Sequence, residues 1–336
     1  MTDRHAPYRF AARVLGFLLA MGALLAAADG LSPHLPPTWL AALANGPGDR
    51  ALLHGSDGKV LYLGGSVLDS VNPSETNQLP LHAMVAIRVP EPVVAVAGPA
   101  NALDTFHAQL AFLVRSGIEP RLTIVPINLR SFSPLWEFNP HHNFELENRM
   151  YAAPFLTRAL AVFKWPFSRP EHDDTLAAPV FIDGERRGNV GDFVRTTAPR
   201  QWDDEWIGRR YRIHYCADVE RSRRFQDLKA LLALVERENL PVLFYLTPID
   251  HQAMARFTTP EDRAVVDRNL ARLRSVLAGA RVPWLDLAYS LRARQFDHPR
   301  WGPNEHLNAS GRTPTAAAIA REVRRLLAAD PAGPQG

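Results

Sequence analysis

Apolar residues fall along this chain in two rhythms. Residues 59–67, 93–97, 122–129, 242–247 and 282–287 are short apolar runs of strand length. Between and after them, residues 103–114, 220–238, 261–280 and 315–328 set apolar side chains three and four apart, the spacing of a helix that buries one face. Strands apolar on both faces that alternate with helices belong to a parallel sheet covered on both sides. The pattern therefore predicts an α/β protein, a three-layer α/β/α arrangement around a mostly parallel sheet of about five strands.

Each of the first three strands runs out on glycine or a polar residue. The first breaks on Gly64-Gly65 and presents Ser66, the second ends at Gly98, and the third at Asn128. Open parallel sheets bind ligands beyond the carboxyl ends of their strands, so the three positions converge on one edge. Ester cleavage needs a nucleophile, a base within hydrogen-bond reach, and donors aimed at the oxygen that becomes negative. Ser66 offers the hydroxyl. Its own amide, the Gly98 amide and the Asn128 side chain offer an oxyanion hole, with glycine at 98 allowing close approach. His306, in the EHLNASG stretch before the last helix, offers the base. Singly, each has an ordinary structural reading: Gly-Gly-Ser makes turns, Asn128 can tie down its own turn, and His306 can cap or pack.

In chain order these are Ser66 in LGGSV, Gly98 in VAGPAN, Asn128 in PINLRSF and His306 in EHLNASG, and over about residues 58–329 the chain resembles the SGNH hydrolases, also called GDSL-type esterases. The resemblance implies a flavodoxin-like sheet and a serine esterase that hydrolyses, or transfers, an acyl group through an acyl-enzyme on Ser66. Its partner would be an ester-bearing substrate such as an acylated envelope polysaccharide. A member that keeps the fold as a non-catalytic binding or assembly module of the cell envelope is the alternative. Two positions depart from the family. Gly65 stands where the family has an acidic residue, with Asp69 close behind. Pro303 stands where the family's aspartate precedes the histidine by three. Asp297 is the expected third member of the triad, ahead of adjacent Glu305, because neighbouring side chains in an extended segment point apart. Asp286, Asn304 or a backbone carbonyl remain alternatives, the last two giving a Ser-His dyad.

Residues 139–215 interrupt the alternation. An amphipathic helix over 144–163 is followed by a Pro-, aromatic- and charge-rich stretch with Trp165, Trp202 and Trp206. Such an insertion at the catalytic edge forms a substrate wall or a packing appendage. At the N-terminus, Arg4, Arg9 and Arg13 precede the uncharged run 14–28, which reads as a signal peptide or, extended over residues 11–28, as an inner-membrane anchor. Both readings place the enzyme outside the cytoplasm, in the periplasm, and the uncleaved segment would meet the membrane. The domain plan is thus a signal or anchor at 1–30, a proline-rich linker at 31–57, the hydrolase domain at 58–329 and a flexible tail at 330–336.

Composition adds exclusions. Cys216 is the single cysteine, so no disulfide forms within the chain. A net charge of +3 is too slight to point to nucleic acid, which is not an expected partner. No Walker loop, dinucleotide fingerprint or zinc spacing occurs, so no cofactor or metal is expected. His141-His142 with Glu145, and His172-Asp173-Asp174, read as solvent-facing loop clusters.

Overall fold

The computed structural model describes residues 6–32, 50–139, 142, 144–161, 172–194, 203–297 and 305–329. Most of the 31–57 linker, the 330–336 tail, His141, Trp165, Trp202, Pro299, Pro303 and Asn304 lie outside the described residues.

Five strands form one parallel sheet: β1 (Val60–Gly64), β2 (Val93–Ala97), β3 (Leu122–Ile127), β6 (Val242–Leu246) and β7 (Trp284–Asp286). Their spatial order, β2-β1-β3-β6-β7, is the flavodoxin-like order, with its switch point between β1 and β3. Alternate residues of each strand serve opposite layers. Val60, Tyr62, Ile124, Leu243 and Tyr245 pack against the helices Leu81–Ala86 and Ala309–Ala329 through residues such as Ile319 and Val323. Leu61, Leu63, Val125, Phe244 and Leu246 pack against Leu103–Ser116, Arg223–Arg237 and Pro260–Gly279 through Phe106, Leu228 and Leu270. Truncating one such fully buried leucine to alanine costs about 2–5 kcal/mol.

Local chemistry sets the ends. Gly117, at φ +63°, stops the Leu103–Ser116 helix in a left-handed cap, and the Ile118 amide bonds back to Leu113. Thr259 and Asp262 form a capping box before Pro260–Gly279, with proline in the first turn. The last helix begins at Ala309, six residues ahead of the start its apolar spacing suggests, and runs through Pro314. Proline there cannot donate to the Ser310 carbonyl, and the Gln295 side chain takes that carbonyl instead, at 3.0 Å.

Three further expectations need correction. The first strand stops at Gly64, because Ser66 already opens the short helix Ser66–Asp69. The third stops at Ile127, before a 3-10 turn at Leu129–Phe132. The single helix expected over 144–163 is two, Glu145–Ala152 and Pro154–Ala161, since Pro154 supplies no amide to continue the first. The insertion also holds an antiparallel hairpin, β4 (Pro179–Ile182) with β5 (Glu185–Asn189). Asp183 and Gly184 turn it at φ +57° and +78°, the Asp-Gly pair such hairpins favour.

An N-terminal helix, Ala6–Leu31, contains the apolar span Phe10–Leu31, of mean hydropathy 2.0, long enough to cross a membrane. A signal sequence has the same character. Its far end meets the folded domain: Asp29 accepts from the amides of Phe155 and Leu156 at 2.7 and 3.1 Å, capping Pro154–Ala161.

Candidate active site

Ser66 sits where β1 gives way to the helix Ser66–Asp69, and its amide is among the donors a helix start leaves unpaired within the helix. Its hydroxyl lies 3.1 Å from His306 Nε2, although 240 residues separate the two. His306 is held by its own backbone. Phe296 and Leu307 form an antiparallel bridge, and the Asp297 amide donates to the His306 carbonyl at 2.9 Å. Behind it Arg312, fully buried, donates to the carbonyls of Leu307, Leu79 and Asn77 and to the Glu75 carboxylate. Glu75 in turn accepts from the Ala309 amide at 2.8 Å. The last helix, the 75–79 loop and the histidine loop are thus tied into one unit.

The carboxylates divide their work. Asp297 accepts from the Asn72 side chain at 3.4 Å. Asp286 pairs with Arg274 and accepts from the Ala288 amide. Asp69 pairs with His82 at 3.0 Å. Glu305 is buried and forms an ion pair with Arg130. Burial alone pushes the Glu305 carboxyl up, but Arg130, then the neighbouring His306, outweigh it and hold the group below its usual range, as a carboxylate. The Arg130 guanidinium also lies 4.4 Å over the Trp136 ring, which stacks on His142. Among the described residues, no group of three or more His, Cys, Asp or Glu could hold a metal ion.

Ser66 opens into a narrow cleft of about 40 Å³ at the carboxyl ends of the strands, walled by Gly65, Asn101, Asn128, Arg130 and Thr247. Asn128 turns its side-chain oxygen inward to accept from the Arg130 amide at 3.0 Å, which leaves its two N–H bonds for other use. Gly98 differs. Its amide donates to the Gly64 carbonyl at 3.2 Å, extending the β1–β2 ladder. A wider groove, about 630 Å³, lies at the opposite edge near Asp57, Arg121 and Pro241 and carries no such pair of hydroxyl and imidazole.

No family model matches the chain, and no curated protein matches it. Solved structures do. A gut microbial diltiazem-metabolizing enzyme is 10% identical, covering 80% of this chain and 47% of its own, with a TM-score of 0.37. A protein of Bacteroides fragilis described as "a putative acylhydrolase" is also 10% identical, covering 86% of this chain and 94% of its own, with a TM-score of 0.36. At such identities and scores neither bears on the chemistry of this chain.

Four residues that the linear pattern did not single out matter to this geometry: Asn101, Arg130, Glu75 and Arg312. Arg312 left a trace, a charge within the apolar face of the last helix. The pairing of Arg130 with Glu305 left none, since it spans 175 residues.

Proposed function

We propose that this chain is an SGNH-type serine hydrolase, exported and held at or released from the membrane by its N-terminal segment, and that it cleaves or transfers a short acyl group. The Ser66 hydroxyl within 3.1 Å of His306 Nε2, at the ligand-binding edge of the sheet, is the observation that carries the reading. His306 takes the Ser66 proton as the oxygen attacks the ester carbonyl carbon, and the carbonyl electron pair moves onto its oxygen. Collapse of that intermediate expels the alcohol, which receives the proton from His306. Water, or a sugar hydroxyl, then repeats the sequence on the acyl-enzyme and frees Ser66.

Glu305, kept anionic by Arg130, supports the imidazolium that forms in each half. Asp297, the expected third member of the triad, fixes the His306 backbone through its amide and accepts from Asn72 at its carboxylate, and orienting the His306 ring remains its proposed role beside the charge of Glu305. The cleft holds roughly three water-sized groups, which suits an acetyl better than a long acyl chain. Hydrolysis of 4-nitrophenyl acetate tests the reading: Ser66→Ala and His306→Ala should each lower kcat by about a thousandfold or more. Turnover at the parent rate in either variant would overturn it.

A further inference from the structure

The Gly98 amide, the donor expected between Ser66 and Asn128, is committed to the Gly64 carbonyl at 3.2 Å. Its place in the cleft is taken by another group. Gly98, Pro99, Ala100 and Asn101 form a tight turn closed by the Asn101 amide on the Gly98 carbonyl, at 3.2 Å. Pro99 occupies the first corner and Ala100 the second at φ +62°, where such a turn ordinarily uses glycine. A left-handed alanine carries a backbone cost and marks a turn held for a purpose.

That turn presses its last residue onto the nucleophile's strand exit. A Cβ built on Gly65 would lie 3.1 Å from the Asn101 carbonyl oxygen, so the residue before Ser66 must be small for Asn101 to come this near. A Cβ on Gly98 would lie 2.9 to 3.1 Å from the Asn101 carboxamide, so that side chain lies folded over the bare α-carbon of Gly98. Asn101 lines the cleft with Ser66 and Asn128, and its carboxamide makes no hydrogen bond to any described residue. Across the cleft the Thr247 hydroxyl is buried without a hydrogen-bond partner among the described residues, so the walls present polar groups suited to an oxygen-bearing ligand.

We infer that the Asn101 side-chain N–H, in place of the Gly98 backbone N–H, donates to the substrate oxyanion alongside Asn128 and the Ser66 amide. Glycine at 98 then serves to seat the Asn101 carboxamide. The inference rests on the Ser66 hydrolase reading above.

Steady-state hydrolysis of 4-nitrophenyl acetate by the full chain tests it, with Ser66→Ala measured beside the other variants. Asn101→Ala should lower kcat by about 10²- to 10³-fold while leaving KM within about threefold, because the bond strengthens as the oxygen gains charge. Asn101→Asp, similar in shape but without the N–H donor at neutral pH, should lose at least as much. Gly98→Ala should slow the parent by crowding the carboxamide, yet add nothing in the Asn101→Ala background. A parent rate in a folded Asn101→Ala or Asn101→Asp protein would return the role to Gly98 and overturn the inference while leaving the Ser66 reading intact. Parent turnover that Ser66→Ala does not reduce would overturn both.

Discussion

Arg130 and Glu305 form a buried ion pair that touches both the cleft wall and the histidine loop, and breaking it should be costly in a defined way. Arg130→Met leaves the Glu305 carboxylate, whose side chain is 5% exposed, without its cation. Removing one partner of a buried pair costs about 3–5 kcal/mol. Arg130 borders the cleft and is 15% exposed, which argues for the lower end, about 3 kcal/mol. Replacing both partners, with Arg130→Met and Glu305→Gln, removes the stranded charge and should recover about 2 kcal/mol of that loss. Urea unfolding of the four proteins by tryptophan fluorescence, in detergent that keeps the N-terminal helix soluble, measures the cycle. The pH dependence has a fixed sign. A carboxyl held below its unfolded value contributes fully above about pH 4.3 and loses that contribution as pH falls through the folded value. An Arg130→Met protein within about 0.5 kcal/mol of the parent, or a double variant no more stable than the single, would refute this account of the pair.

Two further outcomes follow from the packing. Gly311→Ala should destabilise the protein by about 1–3 kcal/mol, since a Cβ there would lie 2.1 Å from the backbone oxygen of Gln295, which cannot swing aside; a melting temperature equal to the parent's would contradict it. His214 is buried with neither ring nitrogen hydrogen-bonded to a described residue; burial first, then Arg130, Arg210 and His142, push its pKa well below 6.5. The unfolded ring takes a proton first, so stability is full above about pH 6.5 and falls as pH drops below it. His214→Phe should flatten that slope between pH 6.5 and 5, as read by urea midpoints.

The sheet was legible because its central strands are buried on both faces and so read as unbroken apolar runs, and the long helices because their buried faces repeat at helical spacing. The hairpin at Asp183-Gly184 carried a turn signal, but β5 is mostly exposed and polar and gave no apolar alternation. The break at Ala153–Pro154 followed from proline chemistry that the amphipathic spacing concealed. At the candidate site, the strand exits pointed to Ser66 and Asn128, and the stretch before the last helix pointed to His306. What escaped were groups whose roles depend on distant partners: Arg130 with Glu305, Arg312 with Glu75 across 237 residues, and Gly98, whose amide is committed by its register against Gly64. Asn101 escaped because a polar residue three places after a glycine looks like any turn until its contacts are known.

The Ser66 nucleophile is the claim on which the functional reading stands. Intact-mass spectrometry after exposure to a fluorophosphonate tests it directly, because an activated hydroxyl beside a base is phosphonylated whatever its natural acyl group. The parent should gain the mass of one phosphonyl group, located by peptide mapping to Ser66, and Ser66→Ala should gain none. An unmodified parent that is folded, or a Ser66→Ala protein labelled as fully as the parent, would contradict the account.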